Sequence, residues 1–216
     1  MSNLFGPSRK EFEDIQSRLS LAEQERNTLR KEMAEIQELM HHLDQDKNLL
    51  VMALERLRPG MDHRVLADTL LELVFKPLNL ASFYVSVADY HADMLHWVLY
   101  HEGGRARNTP SRSMSAQGGL TAKAIQAHQP LYIRSLEEAK AEGAQFSEAE
   151  RLSGLVPQTW YGIPMGWGDR PFGLVSFQSF QPDAFSMDTR RLTDALANLL
   201  AMAMLMPMEV WKGLDS

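Results

Sequence analysis

Four histidines fall close together in the middle of the chain, His91, His96, His101 and His128, and the first two belong to the run DYHADMLH at residues 89–96. Oxygen and nitrogen donors at that spacing could gather round a divalent metal, but Asp and His flanking a short connection also serve as turn formers facing solvent, which is the simpler reading. Arg105, Arg107 and Arg112 make a Gly-, Pro- and Ser-rich stretch basic. Planar guanidinium groups there suit an anionic ligand or an acidic partner, with a solvated loop as the alternative. Trp97, Trp160 and Tyr161 offer flat apolar surface that could line a pocket, although aromatics in strands also serve as core. These six residues, Trp97, Arg105, Arg107, Arg112, Trp160 and Tyr161, are the candidate ligand contacts.

Other chemistries lack their starting residues. The 216-residue chain contains no cysteine, which removes disulfides, thiolate metal sites and cysteine nucleophiles together. No GxSxG, GxxxxGK[ST] or HExxH run occurs, so the nucleophile elbow, the phosphate loop and the zincin helix have no foundation. A catalytic set, a metal and a cofactor are therefore not expected, while an unidentified small-molecule ligand is left open. The formal charge of -6 repels nucleic-acid phosphates at long range and disfavours that partner. No segment has the basic flank and apolar run of a secretory signal or the length of a membrane span, so the cytoplasm is the expected location.

The elements that must position the candidates can be read from periodicity. Pro59 and Gly60 break a long helical pattern, and Asp62 is placed to cap a helix whose apolar positions include Val65, Leu66, Leu70 and Leu73. Strand-like runs at 82–88 and 94–100 read as a hairpin, and residues 101–115 as a mobile loop. Helix character at 120–127 precedes an extended 130–133. A second hairpin is expected between 160–165 and 172–177, with Gly166, Gly168 and Asp169 at its turn. Ser186 caps a last helix in which Leu192, Leu196, Leu199, Ala203 and Met206 form an apolar face. Met202, Met204, Met206 and Met208, with Trp211, make its end a flexible apolar surface, suited to a helix-binding site or to a dimer core.

Before residue 60 an unbroken heptad runs. Ile15, Ala22, Leu29, Ile36, Leu43, Leu50 and Leu57 occupy d; Phe12, Leu19, Arg26, Met33, Met40, Lys47 and Leu54 occupy a. A stripe that narrow on a charged helix needs a partner strand. Long cations at a reach solvent in a two-stranded coil, and parallel pairing sets Arg18 against the partner's Glu23 and Glu25 against the partner's Arg30. The dimerisation residues are therefore Ile15, Leu19, Leu29, Met33, Ile36, Met40, Leu43, Leu50, Leu54 and Leu57. Folding back onto the following domain and a heteromeric coil are the alternatives.

Three segments in order resemble the GAF family: GGLTAKAIQAHQPLYI at 118–133, WYGIPMGWGDRPFGLVSFQSF at 160–180 and PDAFSMDTRRLTDALANLLAMAM at 182–204. The resemblance implies an antiparallel sheet of about six strands flanked by helices, with a ligand pocket on one face. The Asn-Lys-Phe-Asp-Glu set of the cyclic-nucleotide branch has no counterpart here, and the bilin and methionine sulfoxide reductase branches depend on cysteines this chain lacks. Haem-binding members use a histidine ligand; His91, His96, His101 and His128 fall in the corresponding region, and each reads as an ordinary histidine. The expected fold class is α+β, with a flexible terminus at 1–10, a parallel dimeric coiled coil at 11–58, a GAF-like domain at 61–206 and a tail at 207–216. The expected function is a dimeric regulatory module that acts through a separate effector or scaffold protein. In the sensory form its pocket is hollow and polar-lined; in the alternative, a ligand-free docking protein, its own side chains fill the pocket.

Overall fold

The computed structural model describes residues 9–146, 156–166 and 170–212, with Gln117 and 206–212 described by backbone alone. The expected turn residues Gly168 and Asp169, the side chains of Met206, Met208 and Trp211, most of the terminus at 1–10 and the end of the tail at 207–216 lie outside the described residues.

The chain divides into two compact units between Asn48 and Leu49. Helix α1 is continuous from Arg9–Arg56. In the first unit its seam residues Ile15, Leu19, Leu29, Met33, Ile36, Met40 and Leu43 are all between 55% and 61% exposed in the single chain. Local ion pairs such as Arg9 with Glu13 and Lys31 with Glu35 decorate the helix at i, i+4 spacing.

The second unit takes in the last two turns of α1, whose Leu49 and Ala53 are buried, together with Leu57 just beyond it. This corrects the expected end of the coil. Leu57, assigned to the dimer seam by its heptad position, packs in the chain's own core, and Leu50 lies against the same core, whereas Leu54 is 60% exposed. The heptad continues in sequence, but the apolar face that the domain covers there is the one through 49, 53 and 57.

Helix α2 (His63–Val74) begins where Asp62 accepts hydrogen bonds from the backbone N–H groups of Arg64 and Val65. Strands β1 (Ser82–Asp89) and β2 (Met94–Glu102) form the first hairpin. The stretch read as a loop carries two short strands, β3 (Arg105–Ala106) and β4 (Arg112–Ser113), both paired to β2. Next come α3 (Met114–Gln117), α4 (Gly119–Ala127), β5 (Leu131–Ile133) and α5 (Leu136–Ala141). Strands β6 (Thr159–Met165) and β7 (Gly173–Ser179) form the second hairpin, and α6 (Met187–Lys212) ends the described chain, its start capped by Ser186.

All pairings are antiparallel, in the order β3-β2-β1-β7-β6-β5, with β4 also on β2. Because successive strand residues face opposite sides, β1, β6 and β7 supply two cores. Phe83, Val85, Ile163, Val175 and Phe177 pack beneath α2, α6 and the end of α1. On that side α6 contributes Leu192, Leu196, Leu200, Ala203 and Met204, while Leu199 is only partly buried. Met204 is thus a core residue and not part of an open methionine surface, which leaves Met202 exposed at 52%. Tyr84, Leu95, Trp160 and Leu174 face the other side, where α3, α4 and α5 cover them.

Candidate ligand site

Among the described residues, the second face does not close completely. A cavity of about 80 Å³ remains between the sheet, the start of α4, the region of α5 and the residues before β4. Its floor depends on a glycine. Trp160 and Gly162 share a face of β6, and a Cβ at 162 would stand 1.9 Å from the Trp160 ring, so the indole lies flat over bare backbone. Its Nε1–H donates to the Tyr84 hydroxyl at 3.0 Å, and Tyr84 in turn bonds the Thr121 hydroxyl of α4 at 2.8 Å.

A register shift in the first hairpin builds the wall. Val85 pairs with Leu99 but Ser86 with Trp97, so Val98 is an extra residue on β2. Such a bulge turns residues three apart to the same side. Trp97 and Tyr100 both reach Tyr84 as a result, the Trp97 ring edge-on at 5.0 Å and the Tyr100 ring stacked at 5.5 Å.

The rim is tied down residue by residue. Trp97 Nε1–H donates to the Pro110 carbonyl at 3.0 Å, and His96 Nδ1 bonds the Ser111 hydroxyl at 2.8 Å. Asp93, at the hairpin turn, accepts from the Ser113 hydroxyl at 2.8 Å and from the hydroxyl and backbone N–H of Ser115. The Ser115 and Ser113 hydroxyls hold the Asp93 carboxyl below its usual range. In the lining itself, Gly118 is needed where α3 passes into α4, since a Cβ there would meet Ala122 Cβ at 2.1 Å.

Of the six candidate contacts, Trp97, Arg112 and Trp160 line this cavity. The other three do not. Arg105 is exposed on β3, Arg107 pairs with Glu102 at 3.2 Å, and Tyr161 faces the opposite side, where its hydroxyl donates to Asp194 at 2.6 Å. Burial raises the pKa of both Tyr161 and Asp194, which keeps the phenol protonated as donor. The reading from sequence missed Tyr84, Tyr100, Thr121 and Gln178, all of which line the cavity. Strand alternation was the available signal for Tyr84 and for separating Trp160 from Tyr161.

The histidines do not converge. Among the described residues, no three His, Asp or Glu side chains are grouped to hold a metal. Asp89 accepts the backbone N–H groups of His91 and Ala92, as a turn former does, and His128 ends α4 in the left-handed conformation. His101 sits edge-on to Phe75 at 4.9 Å, with Nδ1 buried and, among the described residues, unpartnered. No described helix is long and apolar enough to cross a membrane.

Residues 60–204 match the family described as GAF domain. No curated protein sequence matches the chain. Solved structures similar to it include the GAF domain of Acinetobacter phosphoenolpyruvate-protein phosphotransferase, with TM-score 0.60 and 14% identity, covering 77% of this chain and 97% of that one. Free methionine-R-sulfoxide reductase from Neisseria meningitidis, in complex with its substrate, has TM-score 0.63 and 10% identity, covering 76% and 91%. The nlh2 GAF domain of A. Aeolicus in an inactive state has TM-score 0.58 and 15% identity, covering 76% and 97%. At these identities the likeness is one of fold.

Proposed function

Since the chain belongs to the GAF domain family across residues 60–204, a family of regulatory and sensory domains, we propose that it is a dimeric sensor without catalytic activity, working in the cytoplasm through a separate effector protein. The cavity carries this reading. It is built on a glycine-dependent floor, a bulge and a tied-down rim, and it keeps a polar rim beside an aromatic interior. The proposal of no enzymatic activity rests on residue chemistry. Sulfoxide reduction by thiolates has no residue to carry it in a chain without cysteine.

The proposal of a parallel homodimer is supported by the exposed seam of α1 and by its charges. In parallel in-register packing, a residue at a lies against the partner's preceding g residue. Both cations at a are preceded by an acid, Arg26 by Glu25 and Lys47 by Asp46. Each cation therefore meets the partner's carboxylate, which offsets the like charge across the seam.

A ligand-free docking protein is the second reading, and one observation favours it: aromatic side chains leave only about 80 Å³ open. A thermal screen of a metabolite library against the full chain separates the two. The sensor predicts at least one compound class that raises the melting temperature and shifts tryptophan emission, with both effects lost in Ala144→Leu, which narrows the cavity. A library without any such compound would leave the docking protein standing.

A further inference from the structure

The cavity's lining also narrows what it would hold, an inference that rests on the sensory reading above. Among the described lining residues, Arg112 is the one side chain charged at neutral pH. Its neighbours are engaged: the Pro110 carbonyl with Trp97, the Ser111 hydroxyl with His96 and the Ser113 hydroxyl with Asp93. Arg112 itself is fixed by backbone pairing with Leu95. Arg112 as a residue is half-buried, and its guanidinium has no hydrogen bond or ion pair within the described residues. By contrast, Arg107 has Glu102. An unneutralised guanidinium lining a cavity favours an anion, and its planar fork fits a carboxylate. One cation with no second beside it suits a single negative charge.

The interior points to an apolar body. Trp160 Nε1–H, the Tyr84 hydroxyl and the Thr121 hydroxyl are bonded to one another and the buried Gln178 amide donates to the Ser176 hydroxyl, so Leu95, Leu120 and the indole face present carbon to a guest. Size sets the last limit. About 80 Å³ is roughly half of a cavity known to admit benzene, about 150 Å³, which leaves room for about three to five carbon atoms and none for a fused heterocycle.

We propose that this cavity takes a short-chain aliphatic monocarboxylate, its carboxylate paired with Arg112 and its hydrocarbon chain laid over Trp160. Butyrate, butyramide and n-butylamine have nearly the same shape and differ in charge. They are titrated into the full chain at pH 7, with tryptophan emission and melting temperature as readouts. Butyrate is expected to bind roughly tenfold or more tightly than butyramide, as a charge-assisted pair requires, and n-butylamine is expected to bind most weakly. In Arg112→Gln the preference for butyrate over butyramide should vanish while butyramide binding persists. Equal binding of butyrate and butyramide by the unaltered protein would overturn the carboxylate assignment and leave the ligand cavity intact. Silence from all three probes, with a larger compound from the library binding in their place, would overturn the size and charge assignment together. Silence from probes and library alike would overturn the sensory reading itself. The isostere comparison needs no variant, so a misfolded Arg112→Gln would not shield the proposal.

Discussion

Gly162 and His101 are the residues at which single atoms decide the most. Alanine at 162 would drive its Cβ into the Trp160 ring, 1.9 Å away, and the indole cannot lie flat with a methyl beneath it. Gly162→Ala is expected to destabilise the domain by about 1–3 kcal/mol, as overpacking does, and to alter tryptophan emission because Trp160 must leave the floor. Denaturant melts followed by fluorescence would check both. His101 makes a pH prediction. Burial holds its imidazole below its usual value, against the raising influence of the Gly104 carbonyl and of Asp68, with Phe75 packed on the ring. The unfolded chain then binds the proton more readily than the folded one. The stabilisation is present above the ordinary histidine range and is lost as pH falls through the depressed value. Between pH 7.5 and 5 the melting temperature should fall on acidification, and His101→Phe should flatten that slope.

At the scale of elements, the last turns of α1 show how one helix serves two surfaces. Ala53 is completely buried in the domain core and Leu54, the next residue, is 60% exposed. Ala53→Asp would bury a charge with no partner and is expected to cost about 3–5 kcal/mol, enough to unfold a marginal domain. Leu54→Asp should leave the thermal stability of a dilute monomer nearly unchanged and weaken self-association. Circular dichroism melts of the two variants, run at one low concentration, test the difference.

The same elements show what could be read in advance. Both hairpins, the Asp62 and Ser186 caps and the helix at the start of the 118–133 segment follow local rules, so their signals lie within a few residues of each other. Helix α5 was equally local and was missed: the Ser135 hydroxyl caps it by accepting from Glu138 N–H, and the Glu138 carboxylate reaches back to accept from the N–H of Arg134, the residue before the cap. The site was legible only in part, because long-range pairing builds it. Nothing near Val98 announces a bulge, which exists only relative to β1. Arg105, Arg107 and Arg112 look alike in sequence until β4 docks on β2 beside Leu95 and brings one of them into the cavity lining. Leu57 carries a seam residue's spacing, and only the packed domain reveals that its own core claims it.

At the scale of the whole molecule, the exposed seam and the cavity make joint demands. An isolated helix that leaves seven large seam residues of its first unit more than half exposed is poorly matched to water. Replacing the central pair with charge, as in Met33→Glu with Ile36→Glu, should convert the dimer to monomer in sedimentation velocity while the melting of the GAF domain stays in place. A dimer that survives the double change would place the self-association surface elsewhere. The most direct test of a dimeric, ligand-holding regulatory module is native mass spectrometry of the gently purified full chain. The account predicts a species of twice the 24.5 kDa chain mass that carries a small additional mass, released on collisional activation. A species at the mass of one bare chain, at concentrations where coiled coils pair, would contradict it.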